Sequence, residues 1–422
     1  MTVRAYSGMR FVPVANVERR FTVRRCRFVK KLGGTSHLRH LSPLAKFVAL
    51  YTALYAAFGA VSPFLPAYFA SRGLTGQQIA VVIGVGTALR LVSGPLVGRL
   101  ADRQRTWRGA LSICAGGAGA VAIAYASAHG FVLFLLVNLA QSVLLAPLTP
   151  IADAMALSAS RETAGKGFEY GWVRAAGSAA FVAGLIVAGR AVGALGLVVT
   201  IWLNALLLVV GSLAAVSLPN IQVREVSPSV DHAGNFRQLL EIRSFRRLLL
   251  VAALVLGSHA LHDTFAVIRW RDAGISTVTA SLLWSGSVAA EVIVFLLAGP
   301  LLVRRVGPAY AAMLAAGAGI VRWTVLGATT QIVPLALVEP LHGLTFALLH
   351  LAAMRLISGT VPSHLAATAQ ALYGTLAVGI STTLLTFASG SLYTWLGGQA
   401  FYIMAILCAT AIPFARGMAM PR

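Results

Sequence analysis

Apolar residues run through this chain in long blocks, broken at intervals by turn-forming and charged residues. A helix that crosses the hydrocarbon of a bilayer needs about 20 mainly apolar residues. Segments of that size recur at 44–70, 77–101, 109–128, 131–157, 169–189, 193–217, 246–268, 277–303, 308–328, 332–357, 365–391 and 398–416. The pattern predicts an all-α membrane protein of twelve transmembrane helices. The one long polar gap, 218–245, divides them into an N-terminal six-helix bundle, 44–217, and a C-terminal one, 246–416. Residues 1–43 read as a basic tail and 417–422 as a short terminus.

A weak internal repeat supports the division. An offset of 201 superposes Gly98–Arg103 on Gly299–Arg304 and places Arg90 on Glu291, so the midpoints of the second and eighth segments carry opposite charges. Repeated halves with a site between them near the bilayer midplane are a common plan for secondary transporters.

Composition narrows the class. Hydrophobic residues make up 58% of the chain and charged residues 11%, where a soluble domain carries about 25% charged residues. That balance excludes a water-soluble globular protein, a disordered chain and a nucleic-acid binder. The formal net charge of +22 is explained by topology. With the N-terminus in the cytoplasm, 27 of the 34 Lys and Arg residues fall on the cytoplasmic side. The positive-inside rule then predicts a multi-pass inner-membrane protein with both termini cytoplasmic. Arg19-Arg20-Phe21 is not followed closely by an apolar run and cleavage site, so it is not read as an export signal. The tail is read either as resting on anionic lipid or as an over-extended translation start. Cys26, Cys114 and Cys408 are too widely spaced for a disulfide framework or a Cys-x-x-Cys metal site.

Ionisable groups at bilayer depth cost roughly 2.5–3.5 kcal/mol on insertion scales, so each needs a partner or a function. The acids are Asp153, Asp263, Glu291 and Glu339; the bases are Arg90, Arg174, Arg322, His259, His262, His342 and His350. Asp153 and Arg90 are the first candidates for fixed structural ion pairing. Glu339 and His342 are three residues apart and share a helical face, as do His259, His262 and Asp263. A zinc site at the second set lacks a further ligand, so proton relay or substrate contact is the reading preferred. Burial disfavours the charged form of a carboxyl, which makes Glu291 and Glu339 the expected proton-coupling acids, with His342 tuning Glu339 directly. His350 is expected only to pack.

No Gly-x-Ser-x-Gly, His-Glu-x-x-His or phosphate-cradling Gly-x-x-x-x-Gly-Lys motif is present. The cytoplasmic loops are too small for a nucleotide-binding domain. The chain is therefore expected to be a gradient-driven transporter and not an enzyme, with no cofactor and no metal.

Particular residues then carry a resemblance. Gly98-Arg99-Leu100-Ala101-Asp102-Arg103 resembles the signature loop of the major facilitator superfamily. It keeps the Gly-x-x-x-Asp-Arg core and departs from the paired basic residues that follow in that pattern. The resemblance implies that Gly98, Asp102 and Arg103 belong to a gating loop. Longer runs are similar to the 3-phenylpropionate proton symporter family within that superfamily. They include Tyr170-Gly171 with Arg174, Leu283-Trp284-Ser285, Val321-Arg322-Trp323, Leu341-His342-Gly343 and His350 to Arg355. More distantly, Phe168-Glu169-Tyr170-Gly171-Trp172-Val173-Arg174 resembles the substrate-binding segment of the lactose permease type of oligosaccharide symporters. Glu291, Arg322 and His342 look like that group's eighth-, ninth- and tenth-helix charges. Its coupling glutamate, three residues after the histidine, is replaced here by Thr345, whereas Glu339 lies three residues before it.

Together these readings predict proton-coupled import of a small aromatic carboxylate by a monomer in the bilayer. Arg174, Arg322, His259 and Trp284 are expected to contact substrate, and Glu291, Glu339 and His342 to carry the proton. A neutral sugar or nucleoside substrate is the runner-up, ahead of drug efflux and of a sensor that binds without transport.

Overall fold

The computed structural model describes residues 42–104, 106–160, 168–219 and 232–418. The basic tail up to residue 41, residue 105, residues 161–167, residues 220–231 and 419–422 lie outside the described residues. The described residues are helical with no strand. In hydrocarbon every backbone N–H and C=O must be satisfied within the protein, and the helix does this locally.

The helices are α1 (Pro43–Val61), α2 (Leu65–Ser71), α3 (Gly76–Gln104), α4 (Trp107–Ser127), α5 (Gly130–Leu145), α6 (Leu148–Ser160), α7 (Tyr170–Leu195) and α8 (Val198–Ser217). The remaining helices are α9 (His232–Glu241), which lies within the 218–245 gap, α10 (Arg243–Gly257), α11 (His259–Asp272), α12 (Thr277–Ile293), α13 (Gly299–Ala328), α14 (Ile332–Val338), α15 (Leu349–Thr360), α16 (Ala366–Leu372), α17 (Ser381–Leu396) and α18 (Ala400–Arg416). Among the described residues, ten helical stretches are long and apolar enough to cross a membrane. Two of them, Thr277–Ala328 and Ser363–Arg416, contain 52 and 54 residues. Gly307, with φ 80° and ψ 164°, interrupts the first, and the short 3₁₀ turn Gly397–Gln399 interrupts the second.

Several segments read from the sequence as continuous are broken. Ser62–Phe64 separates α1 from α2, Ala146–Pro147 separates α5 from α6, and Ser258 separates α10 from α11. The tenth segment passes through a 3₁₀ turn at Glu339–Leu341 and a π-helical turn at Gly343–Leu348. Pro63, Pro147 and Pro340 stand at three of these points, where a missing N–H and a bulky ring remove a helical hydrogen bond. Further π turns follow α12 at Val294–Ala298 and precede α17 at Tyr373–Ile380. The expected gating loop is also different. Gly98, Asp102 and Arg103 lie in the last two turns of α3, which continues through Gln104, because no helix-breaking residue intervenes.

Small and polar residues mediate the packing. α1 packs on α7 and α8, α4 on α8, and α13 on α18. Asn204 Nδ2 donates to the carbonyl of Ala57 at 3.0 Å, and Asn138 Nδ2 to that of Val82 at 2.7 Å. Such interhelical bonds replace the hydrophobic drive that lipid removes. Leu96, Leu136, Leu296, Leu337 and Trp395 are exposed. In water that surface would be an aggregation hazard; against lipid tails it is solvated. Helices before and after the linker meet where α3 packs on α17 and α7 on α12. There Thr277 Oγ1 donates to the carbonyl of Gly189 at 2.9 Å.

Candidate functional site

A cavity of about 780 Å³ opens among helices from both sides of the linker. Its wall includes the aromatic rings of Phe58, Phe181 and Trp284 together with Arg90, Glu291 and Arg322. The breaks described above deliver several of these groups. Ser258 restarts the chain as α11, whose first turns bury His259 and His262. The irregular tenth segment carries Glu339 into the interior and His342 to the cavity wall. Gly343 lies so close to Ala290 that a Cβ would overlap its carbonyl, and this approach sets His342 beside Glu291.

A continuous ionic network results. Arg322, fully buried, donates from Nη2 to Glu339 Oε2 at 2.7 Å. Glu339, 1% exposed, also accepts from Ser287 Oγ at 2.6 Å, and its Oε1 lies 3.1 Å from His262 Nε2. On its other arm, Arg322 Nη1 lies 3.1 Å from His342 Nδ1. His342 Nε2 lies 3.3 Å from Glu291 Oε2, with the two side chains 18% and 26% exposed. Trp323 stacks beneath the guanidinium, 4.6 Å from its centre, and is itself anchored by Nε1 donating to Ser258 Oγ at 2.8 Å. Two buried opposite charges cost less than one only when their geometry is good and their remaining polar atoms are bonded; Arg322 and Glu339 come near that condition. The network thus runs from Glu339, buried behind the cavity wall, to the partly exposed Glu291.

A second cluster lies on the helices before the linker. Asp153 accepts hydrogen bonds from Tyr51 and from Tyr170, the latter at 2.8 Å, and pairs with Arg174 at 3.6 Å. Arg174 also bonds the Tyr55 hydroxyl and lies over that ring.

The structure sorts the residues expected from sequence. Arg322, His259, Trp284, Glu291 and His342 line the cavity, with Glu339 paired behind Arg322. Arg174 is not in that wall and is held by Asp153. Asp153 is thus ion-paired, but Arg90 is not: among the described residues it has no carboxylate within ion-pair distance, because Asp153 points to α7. Nor does His342 touch Glu339; the Arg322 fork stands between them. Asp263, more than half exposed, lines the cavity with His262 and contacts that ring's second nitrogen. His350 packs against Phe295 and Tyr373 and lies near enough to Glu291 for their charges to interact. Sequence reasoning read His262, with His259 and Asp263, as proton relay or substrate contact; the structure places it on the cavity wall against Glu339. That reasoning missed Ser287, which sits one turn before Glu291, and the tyrosines around Asp153. The Tyr51/Tyr55 spacing of four was a visible signal; Ser287 gave none.

Comparison with known proteins bears on this arrangement. The model of the MFS_1 like family matches residues 44–404. The chain is 32% identical over 372 residues to the probable 3-phenylpropionic acid transporter of Escherichia coli (strain K12), covering 88% of this chain and 96% of that protein. It is 25% identical to the maltose permease of Geobacillus stearothermophilus, covering 86% of this chain and 91% of that one. Among solved structures, a mutant of the nucleoside transporter NupG superposes with a TM-score of 0.81 at 17% identity, covering 89% of this chain and all of that one.

Proposed function

The chain belongs to the MFS_1-like family and is a multi-pass membrane transporter of the major facilitator type, and from that premise we propose that it imports a small aromatic carboxylate together with protons by alternating access. The observation that carries the proposal is the cavity, whose wall combines aromatic surface with cations and with the Glu291 end of the ionic network. The relative described as a probable 3-phenylpropionic acid transporter supports the substrate class. The membrane potential supports coupling. Moving a negative charge inward against an interior-negative potential costs about 2.3 kcal/mol per 100 mV, so an imported anion needs at least one accompanying proton. We assign proton uptake to the Glu291–His342 pair, which faces the cavity, and give Glu339 the task of neutralising Arg322.

The same proposal includes twelve spans in two six-helix halves, 44–217 and 246–416, with both termini in the cytoplasm of a cell bounded by an inner membrane. In support, at about 1.5 Å rise per residue each of the two longest helical stretches far exceeds the roughly 30 Å hydrocarbon thickness, and each is interrupted near its middle or later third by Gly307 or by Gly397–Gln399. Under this topology the contact between Thr277 and Gly189 lies at the outer end.

The test is competition for binding to the purified protein among 3-phenylpropionate, its uncharged alcohol analogue 3-phenylpropanol, maltose and a nucleoside. The acid is expected to bind best. A sugar or nucleoside that outcompetes every aromatic acid would replace the carboxylate reading with the neutral-solute one.

A further inference from the structure

Three arginines lie within the spans, and two are already matched: Arg322 by Glu339 and Arg174 by Asp153. Arg90 is different. It lines the cavity, its side chain is accessible there, and no carboxylate of the described chain pairs with it. Its neighbours are equally unspent. Gln141 and Ser142, 5% and 0% exposed, line the same cavity, and Gln141 Oε1 and Ser142 Oγ have no hydrogen-bond partner. Buried polar atoms are ordinarily bonded, so two orphans on residues that line one cavity point to a ligand. The helices place the three together. One turn before Arg90, a Cβ on Gly86 would strike the Asn138 amide and the Ser142 hydroxyl; one turn after it, Gly94 faces Ala146. Arg90 therefore sits level with Ser142 where α3 meets α5. The frame is fixed by Tyr125 Oη donating to Asn138 Oδ1 at 3.0 Å and by the bond from Asn138 to Val82.

We propose that Arg90, Gln141 and Ser142 form a subsite that binds the carboxylate end of the substrate, with its ring on the aromatic part of the same cavity. This rests on the aromatic-carboxylate reading above and gives the anion to Arg90, since Arg174, expected to contact substrate, lies outside the cavity wall and is held by Asp153. The guanidinium presents a fork of N–H donors suited to two parallel, charge-assisted bonds, the Ser142 hydroxyl donates a third, and the Gln141 carboxamide donates through Nε2 once turned inward. An alcohol in place of the acid leaves the fork without its anion, so the subsite discriminates by charge.

Direct binding of labelled 3-phenylpropionate to the full chain in nanodiscs, with displacement by 3-phenylpropanol, tests this in the parent and in Arg90→Gln, Arg90→Lys, Gln141→Glu and Arg174→Gln. Charged hydrogen bonds of the usual strength predict that Arg90→Gln weakens the acid on the order of 10-fold or more while leaving the alcohol unchanged. Lysine, a point charge, should restore only part of the loss. Gln141→Glu supplies an internal counter-ion and should displace the acid in the same way, so the proposal remains testable should Arg90→Gln not fold. If the parent prefers the acid and neither Arg90→Gln nor Gln141→Glu weakens it beyond about twofold, or if only Arg174→Gln does, the subsite is overturned and the carboxylate reading stands. A parent that does not prefer acid over alcohol overturns both.

Discussion

Glu291 and Glu339 are both acids in the middle of apolar segments, yet their surroundings give them opposite tasks. Glu339 is sealed between Arg322, His262 and Ser287, so removing its charge leaves a fully buried guanidinium without a counter-ion. Breaking one side of a buried pair typically costs about 3–5 kcal/mol. Glu339→Gln should therefore lower the thermal unfolding midpoint markedly, and a variant as stable as the parent in detergent would contradict the pairing. Glu291 pairs with His342 at the cavity surface, its one ion pair among the described residues. Glu291→Gln should keep the fold and still exchange bound substrate, but lose uphill accumulation; retention of normal accumulation would remove Glu291 from coupling. The sequence made all these charges visible, since so few occur in apolar segments. It did not reveal which charge meets which. Spacing along one helix put Glu339 next to His342, whereas the decisive partner, Arg322, arrives from a different helix and separates them. Asp153 and Arg174 likewise meet across helices, and no regularity in the chain encodes that pairing.

At the scale of elements, the interruptions position the chemistry. π turns are often found at functional sites because an extra residue per turn re-aims the side chains around it. Two of them flank the Glu291–His342 pair, at Val294–Ala298 and Gly343–Leu348. The close approach of Gly343 to Ala290 makes a direct prediction. Gly343→Val should push the two helices apart, cost about 1–3 kcal/mol as overpacking does, and abolish proton-coupled uptake by separating His342 from Glu291. Wild-type uptake in Gly343→Val, measured at equal reconstitution, would show that this contact is dispensable. The helices themselves were legible from the length of their apolar runs, and Gly307 and Gly397 fall in gaps the pattern had marked. The breaks inside the first, fourth, seventh and tenth segments were less so. A proline in a membrane helix permits a break without requiring one, because neighbouring groups can satisfy the freed backbone.

For the whole molecule, the contact of α7 with α12 is one of the places where helices before and after the linker pack, and the proposed alternating access requires it to open. A Cβ on Gly193 would stand 3.4 Å from Thr277 Oγ1, near enough for paired cysteines to bridge. A Gly193→Cys, Thr277→Cys double variant should cross-link on oxidation and stop transport, with reductant restoring it; a cross-linked protein that still transports would place the moving interface elsewhere. The division of the chain by its linker and the direction of its insertion were suggested by the sequence through charge asymmetry, a property of loops. The cavity was not, since it is made by helices distant in the chain. The most direct measurement of the central claim is uptake of 3-phenylpropionate by proteoliposomes holding the unmodified protein, with and without an imposed inward proton gradient. The account predicts accumulation above the external concentration, accompanied by proton entry and collapsed by a protonophore. Equilibration to the external concentration alone, indifferent to the gradient, would contradict it.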